Sequence, residues 1–301
     1  MKTSTLVTII VASSLLVAGI IIGFVGLTII GFDWKKLSTY TIVVNTHEIS
    51  DAFDKIHVDT DTTDVSFVLS EDGQCKVVCE ENEKATHIAA VREGVLTVTL
   101  TDERKWYDFI GINIDRTSIT VYLPEATYAS LSAETNTGDI ELSESLSFGN
   151  VTLSADTGDI ICYASVTGKL DAETNTGHIK IENVSVGSMD LEVNTGKVKL
   201  SHVSCTHITA QTDTGDMTLI DVTAGETMRL TADTGDVTFD GCDAAEIHVK
   251  TSTGDISGTL RSEKIFFAES STGKVDVPKS MNGGKCEMST STGDIHITVV
   301  E

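Results

Sequence analysis

The chain has 301 residues, with 21 basic against 45 acidic side chains and a formal net charge of −24. That sign argues against nucleic-acid binding, which needs a basic face for phosphates, and against attraction to an anionic bilayer surface. Cationic partners remain: divalent ions or basic patches on other proteins. Acidity also keeps a β-rich chain soluble.

Residues 1–5 form a short tail. Residues 6–32, LVTIIVASSLLVAGIIIGFVGLTIIGF, carry no charge in 27 positions. About 20 apolar residues cross a bilayer core, whereas a secretory signal has an apolar stretch of about 7–15. The segment is therefore predicted to be an uncleaved transmembrane helix, followed by a linker over 33–39. Lys35 and Lys36 outnumber Lys2, which weakly favours cytoplasmic repeats. The short tail and the long acidic domain behind the span favour the opposite orientation, and an extracytoplasmic domain on a single-pass bacterial membrane protein is expected. Gly19 and Gly23 form a GxxxG pattern, which offers a helix-mediated dimer.

An irregular β cap is expected over 40–127. Within it, KIHVDTDTTDVSF (55–67) reads as a degenerate first repeat with Thr63 in place of a glycine. QCKVVCEE, GVLTVTL and SITVYLP are further strand-like runs. The insertion 101–118 breaks the pattern with Trp106, Tyr107 and Phe109, in a chain that is only 5% aromatic. It is expected to fold over the open end of the core, or else to present a contact patch for a protein, a glycan or the bilayer interface.

From 128 to 301 the chain repeats one sentence nine times, beginning ETNTGDIEL and ending STSTGDIHI. The repeat glycines, from Gly138 to Gly293, are spaced by 19 or 20 residues. Apolar and polar residues alternate on both sides of each glycine, which is a strand signal. Glycine between two strands suits a turn that needs positive φ, and the Asn or Asp before it can close a local turn. A hairpin meander would satisfy the alternation. Near-constant spacing favours a coil whose repeats stack in parallel, like over like. The predicted fold is all-β, a parallel β-solenoid of about nine to ten coils.

The anchor, the lead-in SITVYLPEATY and the string of TGD[IV] corners resemble the "putative adhesin" family of bacterial β-strand-repeat proteins, a family defined as a domain of unknown function. The resemblance covers roughly 40–301. It implies a membrane-tethered, cell-surface β-solenoid, and relatives set beside envelope-stress regulators suggest a regulatory or sensory subunit as an alternative. The family defines no catalytic residues.

Asp follows most of the glycines. Asp216 and Asp236, with Asp213 and Asp233, form the densest carboxylate group, where calcium would relieve repulsion. Lys197 and Lys274 interrupt the column, and turn chemistry alone accounts for these residue types, so no metal site and no cofactor are expected. Catalysis is not expected either, because no coil carries a single polar departure and the eight histidines are scattered. The six cysteines match no zinc spacing, and Cys75 and Cys79 stand four apart on one strand, too far to bridge. Buried small hydrophobes are the expectation. The function expected is a non-catalytic surface module for adhesion or for binding a protein or glycan.

Overall fold

The computed structural model describes residues 3–29, 31–32, 41–109 and 116–300. The linker over 33–39, residues 1–2 of the tail and residues 110–115 of the aromatic insertion lie outside the described residues. Thr3–Ile29 form one helix of 27 residues, α1. Its Ile9–Ile29 stretch has mean hydropathy 2.6 and none of it is buried. At about 1.5 Å per residue it is long enough to cross a bilayer core of about 30 Å.

The remainder is one sheet of 21 strands wound into a solenoid. At eight of the nine corners glycine has φ between +148° and +155°. A Cβ there would lie 1.6–2.2 Å from the carbonyl oxygen of the preceding corner. Only a residue without a side chain fits both the conformation and the space. Successive coils pair in parallel, with Leu131 beside Val151 and Ile140 beside Ile160. The coil, not the meander, is the fold. Alternate residues point inward and build one continuous core around Phe67, Phe148 and Phe239.

A second corner went unseen in the sequence. Six residues past the glycine, Asn183, His202 and Asp221 take φ of 57°, 53° and 51°, and Gly241 takes 62°. Asn, Asp, His and Gly are the residues that tolerate the left-handed region best.

The amino-terminal end is built from seven strands: β1 (Ile42–Ile49), β2 (Lys55–Thr60), β3 (Asp64–Leu69), β4 (Cys75–Asn82), β5 (Ala85–Arg92), β6 (Val95–Asp102) and β7 (Ser118–Leu123). The first coil has the register expected of it. Ile56 and Val58 lie beside Leu131 and Ala133, and Val65 and Phe67 beside Ile140 and Leu142. Thr63 stands where the glycine would be, its carbonyl facing Gly138. The stack then grows outward with chain order reversed. β6 and β7 lie in parallel on the far side of β2 and β3. β5 pairs antiparallel with β6, β4 with β7, and β1 with β4.

The carboxyl-terminal end also departs from chain order. Ile256–Leu260 pair with Ile295–Val299, and Val249 lies beside Met288. Lys264–Ser270 then pair outside, on Gly284–Thr292. The last segment of the chain is thus inserted beneath the one before it. The solenoid winds about eight turns, not the nine to ten expected. Counting one coil for each corner overstates the number of turns.

Candidate functional site

The repeated corner residues are tied to one another. Asp64 Oδ1 accepts the Asp139 amide at 3.0 Å, Asp139 Oδ1 that of Asp159 at 2.8 Å, and Asp159 Oδ1 that of His178 at 2.7 Å. His178 Nδ1 accepts the Lys197 amide at 2.9 Å. Beyond Lys197 the series resumes: Asp216 accepts from Asp236, Asp236 from Asp255, Asp255 from Asp294 and Asp294 from Lys274. Each Asp or His after a corner glycine in this series serves the backbone of the next coil. The two lysines fit this order. Lys274 stands on the outermost coil, above which no amide waits, and Lys197 Nζ pairs with Asp216 Oδ2 at 2.9 Å. The Lys197 ammonium and the Asp236 amide together hold the Asp216 carboxyl below the usual carboxylate range.

The threonine three residues before the glycine belongs to the same system. Thr174, Thr251 and Thr290 donate to the glycine carbonyl of the coil below, at 2.9–3.1 Å. Asp213 and Asp233 are exposed beside this series. Asp213 and Asp233 fall at matching positions on neighbouring coils, and one oxygen each of Asp216 and Asp236 already accepts an amide.

The break in repetition lies at the other end of the column. The insertion replaces the glycine corner of the outermost coil, between β6 and β7. Trp106–Phe109 form a single 3-10 turn; the Phe109 side chain lies outside the described residues. Trp106 is 77% exposed and Tyr107 49% exposed. The rings pack edge to face, centroids 5.8 Å apart. Neither of these two rings covers the core, which β4 and β5 extend; the rest of the insertion, from the Phe109 side chain to residue 115, lies outside the described residues. The turn is held from below. Asp108 accepts from Lys84 Nζ at 2.7 Å and from the Lys105 amide at 2.9 Å, and Arg104 donates to Asp102 three times, twice from its guanidinium and once from its amide.

Beside the turn opens a cavity of about 500 Å³, lined by Asp61, Asp64, Arg104, Arg116 and Gly138 and reaching inward to Glu81 and His87. There the core turns polar. Glu81 Oε2 accepts from the His87 amide and lies 2.7 Å from His87 Nδ1, and His87 Nε2 lies 2.8 Å from Thr60 Oγ1. Asn45 Nδ2 donates to Glu81 Oε1 at 2.7 Å. Sequence reading missed this group. Its signal was Glu81 at the end of an inward-facing series that is otherwise apolar (Cys75, Val77, Cys79), with a histidine across the hairpin that follows.

Five of the six cysteines are buried, and all six are free thiols. Burial pushes the thiols of Cys79, Cys162, Cys205 and Cys286 up to about 12.

A β-solenoid with glycine corners and a strand-exchanged cap is the class that fold and site define. The chain belongs to the Toastrack DUF4097 family, whose model matches residues 53–298. Among solved structures, a "putative adhesin" of Parabacteroides merdae is 13% identical, with 87% of this chain and 98% of that one covered and a TM-score of 0.52. One of Bacteroides fragilis is 15% identical, with 87% and 99% covered and a TM-score of 0.49. A "putative lipid binding protein" of Parabacteroides distasonis is 12% identical, with 86% and 97% covered and a TM-score of 0.38. No curated protein matches. At these identities the likeness is one of fold, carried by the Parabacteroides merdae structure.

Proposed function

We propose that this chain is a membrane-anchored, extracytoplasmic β-solenoid that serves as an adhesion or protein/glycan interaction module of the cell surface, without catalysis of its own. The observation that carries this is the aromatic turn. Two large rings stand in solvent on a backbone fixed by ion pairs and hydrogen bonds, and an ordered exposed aromatic pair is the kind of anchor that interfaces use. The repeated polar columns, by contrast, are occupied in joining coil to coil. The uncharged helix α1 supports anchoring, since it continues well past the length of a signal sequence. The name given to the Parabacteroides merdae protein is in keeping with this reading.

A second reading, a regulatory or sensory subunit of the envelope, is favoured by where the turn lies. It belongs to the cap that follows the anchor, and the 12 residues between Ile29 and Ile42 span at most about 43 Å. A partner held at Trp106 would stay close to the bilayer.

The test is binding by whole cells that display the full chain. Wild type and a Trp106→Ala/Tyr107→Ala variant, matched for surface amount by protease shaving, are applied to glycan arrays and to host matrix proteins. Retention on at least one surface, reduced at least about tenfold in the variant, is expected. Equal retention would remove the turn as the contact site. A domain that protease cannot reach in intact cells would refute the orientation.

A further inference from the structure

Cys79 and Glu81 are alternate residues of β4, so both side chains leave the same face of the strand. The hairpin at Asn82 and Ala85 returns the chain so that His87, on β5, meets them. One ligand atom from each of the three lies within 4.8 Å of the other two. The three residues are 0%, 1% and 3% exposed. From these positions we propose that the cap holds a zinc-class divalent cation, ligated by the Cys79 thiolate, the Glu81 carboxylate and the His87 imidazole.

The donor set selects the ion. Calcium and magnesium take oxygen ligands, whereas zinc takes sulfur, nitrogen and carboxylate oxygen together in a tetrahedron. Support behind the ligands is in place. A metal-binding imidazole commonly gives its second ring N–H to an acceptor that fixes its tautomer. Here Thr60 Oγ1, itself buried, lies 2.8 Å from His87 Nε2. Metal on Nδ1 puts the ring proton on Nε2, where this hydroxyl accepts it. Glu81 is oriented by Asn45 Nδ2 at 2.7 Å, and Asn45 is the register partner of Cys79.

Two features bear on the fourth position. The cavity beside the aromatic turn is lined in part by Glu81 and His87 and gives an ion or a water a way in. His47 Nε2 is also a buried side-chain nitrogen with no hydrogen-bond partner among the described residues. His47 is opposite Val77 and so diagonal to Cys79, about 7–8 Å between backbones on an antiparallel pair. Binding displaces the Cys79 thiol proton to solvent and involves no redox change.

The test uses the full chain in detergent, freed of metal and kept reduced. Cobalt(II) is titrated in as the spectroscopic probe. One equivalent should bind with a thiolate-to-cobalt charge-transfer band and tetrahedral visible bands, and zinc should displace it stoichiometrically while magnesium and calcium do not. Cys79→Ser should abolish the charge-transfer band, and Cys205→Ser should leave it unchanged. Asn45→Ala, which alters only a positioning residue, should weaken zinc binding about 10- to 100-fold. Folded wild-type protein that shows no such band would overturn the proposal, even if every variant misfolds. So would a band that survives in a folded Cys79→Ser protein.

Discussion

At Gly196 a methyl group would meet the Gly177 carbonyl oxygen at 1.7 Å, on a backbone whose φ is +149°. Gly196→Ala is therefore expected to lower stability by at least about 2 kcal/mol, since the conformation alone costs about 1–3 kcal/mol and the coils must part as well. The Asp beside the glycine acts through one oxygen. Asp236→Asn keeps an acceptor for the Asp255 amide and should change stability little. Asp236→Ala loses it and should cost about 1 kcal/mol. Denaturant unfolding of the three variants checks both statements. The thiols set a pH limit. Cys162, Cys205 and Cys286 have values near 12 in the folded chain, against 9.0 for the ordinary group. Between these values the folded state binds more protons than the unfolded one, so stability falls as pH rises. The unfolding midpoint should be insensitive to these groups below about pH 8 and should drop steadily above about pH 9. A midpoint that rises from pH 9 to 11 would contradict their burial.

At the scale of the element, strand order at the two ends is the main departure from expectation. If the last two segments exchange places, Thr253 lies beside Thr292 and Thr272 is a further coil away. Neighbouring strands are about 4.8 Å apart, within the Cα range for a disulfide, whereas two layers are not. Thr253→Cys with Thr292→Cys should therefore cross-link on mild oxidation, and Thr253→Cys with Thr272→Cys should not; mass spectrometry of the digest distinguishes them. The regular coils were legible in the sequence because the glycine, the apolar alternation and the spacing recur together, and even the degenerate Thr63 coil could be placed by them. The exchange was not, because any coil of this type stacks equally well on any other. Which coil lies outermost depends on which one the ends leave uncovered. The second corner was half legible: Asn183, His202, Asp221 and Gly241 share a conformational tolerance but little else. The aromatic turn announced itself by composition. The polar group around His87 did not, since a strand, a hairpin and a different strand must first be folded before its members meet.

For the whole molecule, the division of labour is the central point. The acidic rod repeats a unit whose polar groups hold it together, and the departures from it lie at the two ends: the cap with its exposed rings, cavity and polar core, and the exchanged strands at the carboxyl terminus. A net charge of −24 is also what a ladder of bound cations would require. The deciding measurement is thermal unfolding of the full chain in detergent with added calcium, with added magnesium, or with neither, in wild type and in Asp216→Asn/Asp236→Asn. Corners that only fold should give the same midpoint with either ion in both proteins. A saturable rise specific to calcium, lost in the double variant, would show that the carboxylates bind ions, because a ligand of the native state stabilises it by mass action.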